Sequence, residues 1–242
     1  MDSSKKTYVL VHGAWHGAWY FQTTKQKMEQ SGSKVIAFDL PGHGNDKTDI
    51  SQVSLDSYVE RVKQEITKLD TSVILVGHSL AGFIISKVAE EMPDKVEKLV
   101  FVAAMIPNNG KSVLDILKAD TGSELLNNLI FSEDQSWATV SEDTLKKVVY
   151  NGATDEQIAE AAPQLVRQAT QPFSSLVTTT ENNFGKIPKV YIGCTMDKIL
   201  SENAQKELSK MVGCSYHSIS LNTGHVPQIE SPIQLAEALL NA

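Results

Sequence analysis

The chain has 242 residues, of which 41% are hydrophobic, 21% charged and 7% aromatic. At roughly 100 to 200 residues per domain, this length fits one globular unit with a large core. The 22 Lys and Arg residues against 29 Asp and Glu give a net charge of -7. This balance argues against a basic surface for nucleic acid or for an anionic membrane. We therefore expect neither partner, and the sequence leaves the oligomeric state open.

The start of the chain, Met1–Thr7, carries no apolar segment followed by a small-residue cleavage site. The longest apolar run, Leu99–Ile106, has 8 residues, far fewer than the roughly 20 that span a bilayer as a helix. We therefore expect a cytoplasmic protein.

Short runs rich in β-branched residues recur along the chain without the polar alternation of a half-solvated strand, which is typical of strands buried on both faces. The predicted strands are Tyr8–Val11, Val35–Phe38, Val73–Val76, Leu99–Ala103, Lys189–Gly193 and Tyr216–Leu221. Amphipathic helical patterns lie between most of them. These predicted helices are Phe21–Gln30, Leu55–Leu69, Leu80–Met92, Asn203–Met211 and Ile233–Leu240. The alternation predicts an α/β fold with a mostly parallel six-stranded sheet and helices on both faces.

One segment, residues 107–184, interrupts this alternation with helical patterns only. These patterns cover Val113–Leu117, Glu124–Leu129, Leu145–Tyr150 and Glu156–Val166. A structureless loop of this length is uncommon in a compact domain. We therefore predict a helical cap over residues 107–184, inserted into a core formed by residues 1–106 and 185–242.

The strongest functional motif is Val73–Gly82, a buried strand followed at once by a helix with Ser79 at the turn. This arrangement is the nucleophile elbow, in which small flanking residues allow a tight turn that exposes the serine hydroxyl. Gly77 fits this requirement, whereas Ala81 stands where a second glycine is usual. The motif predicts Ser79 as a nucleophile.

A nucleophilic serine needs a histidine base and an acid that orients the histidine, in the chain order Ser, acid, His. Asp197 follows the fifth predicted strand and His225 follows the sixth. Since strand ends of one parallel sheet share an edge, we predict a catalytic triad of these two residues with Ser79. Other candidates fit less well, because they lie within a strand, at a turn or before the serine. They are Asp39, which we expect to brace the 41–44 loop, and His43, His78 and His217.

An oxyanion hole needs two backbone N–H donors. The residue after the nucleophile, Leu80, supplies one, and the loop after the first strand supplies the other. In that loop we predict Ala14 as the donor, with Gly13 as the second choice. The loop lacks both the dinucleotide-binding and the P-loop glycine patterns, which argues against phosphate binding.

Taken with the loops at residues 12–19, 39–44 and 190–198 and with Gly224-His225, these motifs resemble the α/β-hydrolase superfamily from about Thr7 to the C-terminus. More narrowly, they resemble the branch that holds plant methyl-ester esterases, hydroxynitrile lyases and pyrethroid-hydrolase-like bacterial esterases. The resemblance implies a strand order of 2-1-3-4-5-6, a helical cap, and neither a cofactor nor a metal.

The same resemblance separates esterases from lyases at two positions. Lyases of this branch carry a threonine and a lysine where this chain has Gly13 and Val226. Without a cation to stabilise cyanide, lyase chemistry loses its electrostatic support. We therefore predict a serine carboxylesterase for small to medium uncharged esters. Three alternatives stay open: a hydroxynitrile lyase, a carbon–carbon bond hydrolase of the same fold, and a non-catalytic ligand receptor.

Candidate walls of the substrate pocket are Gly13 and Val226 beside the triad, together with apolar cap residues. The cap candidates are Leu126, Phe131, Trp137 and Phe173.

Overall fold

The computed structural model describes residues 6–214 and 219–242. Its strands form two sheets. Their bounds are Thr7–Val11 (β1), Lys34–Ala37 (β2), Val73–His78 (β3), Val96–Val102 (β4), Leu129–Phe131 (β5), Trp137–Val140 (β6), Gln168–Ala169 (β7), Lys189–Cys194 (β8) and Ser220–Leu221 (β9). The main sheet has the order β2-β1-β3-β4-β8-β9, and all its neighbouring pairs are parallel. This confirms the predicted α/β fold and strand order.

Ten α-helices accompany these strands within the described residues. Their bounds are Gln22–Gln30 (α1), Leu55–Thr67 (α2), Ala81–Glu91 (α3), Val113–Ala119 (α4), Glu142–Thr144 (α5), Asp155–Ala161 (α6), Gln171–Ser174 (α7), Glu202–Met211 (α8), Pro227–Glu230 (α9) and Pro232–Asn241 (α10). The five helices predicted between the main strands are α1, α2, α3, α8 and α10. Local capping sets some of their ends: α2 begins where the Ser54 hydroxyl accepts the Ser57 N–H.

The prediction that residues 107–184 hold only helices is wrong. Within this segment β5, β6 and β7 form a three-stranded antiparallel sheet, and the predicted helix Glu124–Leu129 is a short 3-10 turn that leads into β5. The turn between β5 and β6 is held by Asp134, which accepts the Ser136 N–H and the Ser132 hydroxyl. Such side-chain bonds to a turn compete with helix formation.

Of the other three predicted cap helices, Val113–Leu117 is confirmed as α4, and the remaining two differ from their predicted forms. The predicted Glu156–Val166 helix ends at Ala161 as α6, with a 3-10 turn over Ala162–Gln164 that contains Pro163. Proline removes a helical N–H donor and clashes with the preceding turn. Leu145–Val149 forms a single wide π-turn.

The central strands β1 and β3 of the main sheet are buried along their whole length. The sixth predicted strand began at Tyr216, and residues 215–218, including His217, lie outside the described residues. Cys194 and Cys214 are free and buried. None of the helices in the described residues is long and apolar enough to span a membrane.

Candidate active site

Ser79 lies at the sharp turn between β3 and α3, in a left-handed backbone conformation with φ of 57°. A residue other than glycine pays a steric cost there, and such strain is common at functional sites. The space around the turn explains Gly77, since a Cβ atom on it would lie 2.8 Å from the Ala81 carbonyl oxygen. The backbone therefore has the form of a nucleophile elbow.

The alanine in place of the usual second glycine has a structural explanation. Ala81 presents its carbonyl to Gly77, and its side chain is buried without displacing the turn. The position with no room for a side chain is the next one, because a Cβ atom on Gly82 would lie 2.0 Å from the Met105 carbonyl oxygen. The sequence therefore places its glycine at the point where α3 approaches the chain after β4.

The structure brings Ser79, His225 and Asp197 together from three strand ends. The Ser79 hydroxyl lies 2.8 Å from His225 Nε2, and His225 Nδ1 lies 2.7 Å from Asp197 Oδ2. The three residues are 6%, 3% and 7% exposed. In this arrangement the serine O–H donates to Nε2, and the Nδ1–H donates to the carboxylate. The geometry suits transfer of the serine proton to the imidazole.

The Asp197 carboxylate is held by more than the histidine. Its Oδ1 atom accepts the N–H groups of Ile199 and Leu200 at 2.7 and 2.9 Å, and Gln205 Nε2 donates to Oδ2 at 3.2 Å. Gln205 is fully buried on α8 and also bonds both backbone groups of Cys194. Sequence reasoning missed Gln205, although a glutamine on the apolar face of an amphipathic helix is a signal that could have found it.

The loop after β1 lies against the serine, as the predicted oxyanion site requires. A Cβ atom on Gly13 would lie 3.0 Å from Ser79 Cβ, so this backbone approaches the nucleophile closely. The Gly13 N–H donates to the Tyr20 hydroxyl, which leaves Ala14 as the better candidate donor in this loop. Leu80 is the N-cap of α3, where the first amides of a helix have no intrahelical acceptor.

The residues that sequence reasoning ranked below the triad have structural partners elsewhere. Asp39 accepts the N–H groups of Ala18 and Asn45, so it braces the loops after β1 and β2. His43 lies between the Pro41 carbonyl and Gln168. His78 is buried beneath the site, 2.7 Å from the His225 carbonyl oxygen through its Nε2 atom.

Of the predicted pocket residues, Gly13 and Val226 lie beside the triad, and Val226 is fully buried. A cavity of about 370 Å³ lies between the cap and the loop that carries Ala14. Its lining is Trp15, His16, Thr139, Val140, Glu142, Leu145, Val149, Ala162 and Leu165. None of the predicted cap walls is in this set.

The predicted cap walls lie elsewhere for identifiable reasons. Phe131 is 49% exposed at the end of β5, next to the polar turn of Ser132 to Ser136, and both faces of the strand are exposed there, since Ile130 is also 47% exposed. Trp137 lies under the Arg167 guanidinium, and Phe173 packs against the Trp15 ring. Leu126 is half-buried and packs against the core.

Three buried histidines around the site are neutral. His12, His16 and His78 each have one nitrogen against a carbonyl oxygen and the other against an N–H or O–H donor. Burial lowers the pKa of His12 and His78 well below the usual value, and it lowers the pKa of His16 to about 3. Desolvation disfavours the charged imidazolium, as expected for a fully buried ring.

These histidines predict loss of stability in mild acid. Below pH 6.5 the unfolded chain binds protons that the folded chain does not, so the free energy of unfolding falls as the pH falls. Each of the three contributes roughly 1 kcal/mol between pH 6.5 and 5.5. His43 acts in the same direction, because burial also lowers its pKa, and Glu230 opposes them, because burial raises its carboxyl pKa.

Urea unfolding at the two pH values is expected to show a net loss of roughly 2 to 3 kcal/mol. Equal stability at pH 6.5 and 5.5 would show that these rings are protonated in the folded chain.

No group of three His, Cys, Asp or Glu side chains in the described part of the chain is placed to hold a metal ion.

A model of the alpha/beta hydrolase family matches residues 8–238. The chain belongs to this family. Methylesterase 2 of Arabidopsis thaliana is 31% identical, and the alignment covers 99% of this chain and 96% of that protein. Salicylic acid-binding protein 2 of Nicotiana tabacum is 30% identical, with 97% of this chain and 96% of that protein covered.

Among solved structures, a pyrethroid hydrolase from Sphingobium faniae JZ-2 superposes with a TM-score of 0.85 at 24% identity, covering 98% of this chain and 97% of that one. The curated relatives confirm the resemblance to the plant methyl-ester esterases, and the solved structure confirms the fold. The methylesterase relatives support an esterase function of this alpha/beta hydrolase fold.

Proposed function

We propose that this alpha/beta hydrolase is a serine carboxylesterase that forms an acyl-enzyme on Ser79. The observation that carries the proposal is the continuous hydrogen-bonded path from the Ser79 hydroxyl through His225 to Asp197, with 2.8 and 2.7 Å between the bonded atoms. Such a path raises the nucleophilicity of a serine that is otherwise a weak nucleophile. The path is buried beside a loop whose backbone approaches the serine.

In the proposed reaction His225 removes the Ser79 proton as the oxygen attacks the ester carbonyl. The amides of Ala14 and Leu80 stabilise the oxyanion, and Asp197 holds the imidazolium in the required orientation. His225 then protonates the leaving alcohol. Water, activated by the same imidazole, attacks the acyl-enzyme and releases the carboxylic acid.

The surroundings of the serine favour an uncharged ester. Val226, next to the base, is apolar and fully buried, and the Ser79 hydroxyl lies 3.9 Å from the sulfur of the buried, apolar Met105. Since desolvating a charge without a partner is costly, a neutral acyl or alcohol group fits better than an anionic one. The absence of a cation at Val226 also argues against the hydroxynitrile lyase reaction.

The proposal is tested by incubating the purified protein with p-nitrophenyl acetate, butyrate and octanoate, with mandelonitrile as the lyase substrate and a vinylogous diketone as the carbon–carbon hydrolase substrate. We expect ester hydrolysis with a chain-length preference and no cyanide release. A protein that is folded by circular dichroism but hydrolyses none of the esters would contradict the esterase proposal. Cyanide release would instead support the lyase alternative.

A further inference from the structure

The buried hydroxyl of Tyr20 lies between two parts of the proposed catalytic machinery. Tyr20 belongs to a 3-10 turn, Ala18–Phe21, directly after the loop that carries Gly13 and Ala14. Its side chain is 2% exposed. The hydroxyl oxygen accepts the Gly13 N–H at 3.0 Å and lies 3.0 Å from His78 Nδ1. It therefore contacts both the proposed oxyanion loop and the residue before the nucleophile.

The His225 carbonyl determines which atom donates in each of these hydrogen bonds. His78 Nε2 lies 2.7 Å from the His225 carbonyl oxygen, and a carbonyl can only accept. Nε2 therefore carries the proton, Nδ1 offers its lone pair, and the Tyr20 O–H donates to Nδ1. Burial raises the pKa of the Tyr20 phenol and lowers that of His78, so both stay in the neutral forms that this chain of bonds requires.

We propose that Tyr20 is a positioning residue that, through His78, fixes the oxyanion loop relative to the backbone of His225. This inference rests on the proposed esterase function. The three bonds from the Gly13 N–H through Tyr20 and His78 to the His225 carbonyl join elements that are far apart in sequence. Gly13 precedes the proposed donor Ala14, and the His225 backbone carries the proposed base. A shift at either end would change the distance between the oxyanion donor and the base, and small misplacements of reacting groups lower the rate.

The hydroxyl can be removed without removing the ring. The Tyr20 ring packs against the rings of Phe21 and His16, with centroids 4.5 and 4.7 Å apart, and phenylalanine keeps these contacts. Tyr20→Phe therefore deletes only the link between Gly13 and His78.

Tyr8 provides a matched control for this deletion. It is 1% exposed, and its hydroxyl has no hydrogen-bond partner among the described residues. Tyr8→Phe also removes one buried hydroxyl, but it breaks no bond to the site.

We expect Tyr20→Phe to lower kcat for the best p-nitrophenyl ester about 10- to 100-fold, with KM within about twofold of the parent. The affinity for phenylboronic acid, which forms a tetrahedral adduct with a catalytic serine, is expected to fall in parallel. Tyr8→Phe is expected to leave all three quantities within about twofold. A purely structural role would not produce this division between kcat and KM.

A second variant tests whether Tyr20 and His78 act as one unit. His78→Gln keeps a side-chain N–H within reach of the His225 carbonyl but removes the Nδ1 acceptor. If both residues act through the same chain of bonds, the double variant is expected to be no more than about twofold slower than the slower single variant. If the two single effects on kcat multiply in the double variant, Tyr20 and His78 do not act as one unit.

If the parent protein hydrolyses esters, three results would overturn the proposal. These are a kcat of Tyr20→Phe equal to that of Tyr8→Phe, a rise in the KM of Tyr20→Phe with kcat unchanged, or effects of Tyr20→Phe and His78→Gln on kcat that multiply in the double variant. Histidine ¹⁵N NMR of the resting protein gives a test that needs neither turnover nor a stable variant. It is expected to show His78 protonated at Nε2 and bare at Nδ1, and the opposite tautomer would overturn the chain of bonds. If the parent hydrolyses no ester while His78 has the expected tautomer, the result contradicts the proposed esterase function and not the hydrogen bonds of Tyr20 and His78.

Discussion

Replacing Ser79 with alanine is expected to lower kcat for ester hydrolysis about 10⁴- to 10⁶-fold while the protein stays folded. The loss follows from geometry, because Ser79 Oγ is the atom that His225 Nε2 contacts and alanine offers no nucleophile there. Alanine fits the same turn, since it has fewer atoms than serine. The measurement is the rate of p-nitrophenyl ester hydrolysis, with circular dichroism to confirm folding.

Ser86, on the helix that follows Ser79, gives a matched control. It is fully buried on α3, and its hydroxyl donates to the Gly82 carbonyl. Ser86→Ala is expected to keep at least a tenth of the parent kcat, because the hydroxyl has no bond to the triad. A Ser79→Ala protein with more than about a hundredth of the parent rate would place the nucleophile elsewhere.

An Asp197→Asn variant is expected to lose about 10³- to 10⁴-fold in kcat through a wrong histidine tautomer. Because Oδ1 accepts the N–H groups of Ile199 and Leu200, the amide oxygen of asparagine would stay on that side. Its NH₂ group would then face His225 Nδ1 and donate to it. The imidazole would carry its proton on Nε2 and could no longer accept the proton of Ser79.

Asp39 is the matched control, because it also follows a strand of the main sheet but bonds Ala18 and Asn45 instead of a histidine. Asp39→Asn is expected to lower the thermal stability of the protein more than its kcat. If Asp39→Asn abolished turnover and Asp197→Asn did not, Asp197 would not be the acid. Both variants are compared by the kcat of ester hydrolysis, with thermal unfolding measured alongside.

The main sheet could be predicted from sequence because its strands are buried on both faces and read as continuous apolar runs. The same runs located the site, since Ser79, Asp197 and His225 each follow a strand end, and the ends of parallel strands meet at one edge. The positions of the strand ends in the sequence therefore indicated which residues meet in the folded chain. The departure at Ala81 also became clear only in three dimensions, where the steric limit falls on Gly82 against the Met105 carbonyl.

The cap was predicted less well, because its strands are short and their signals are weak. β5 and β7 have three and two residues, too few for a clear period, and the polar turn around Asp134 gave the main local indication. The exposed Phe131 shows the consequence, because an apolar residue in a helical pattern is expected to face inward, whereas this residue ends a short strand whose faces are both exposed there.

The hydrogen-bond partners of the positioning residues could not be predicted from the sequence. Tyr20 and Gln205 act through bonds to residues that topology brings near, and nothing in their local sequence names those partners. His78 was interpreted as structural from its place before the serine. Its contact with the His225 carbonyl joins two segments that are far apart in sequence, so the local pattern does not indicate it.

An acyl-enzyme on Ser79 can be trapped by rapid acid quenching of the protein during p-nitrophenyl butyrate hydrolysis and detected by intact-protein and peptide mass spectrometry. We expect a transient mass increase of one butyryl group, located on the peptide that contains Ser79 and absent from Ser79→Ala. Turnover by the parent with a butyryl group on another residue, or undiminished turnover by Ser79→Ala, would contradict it.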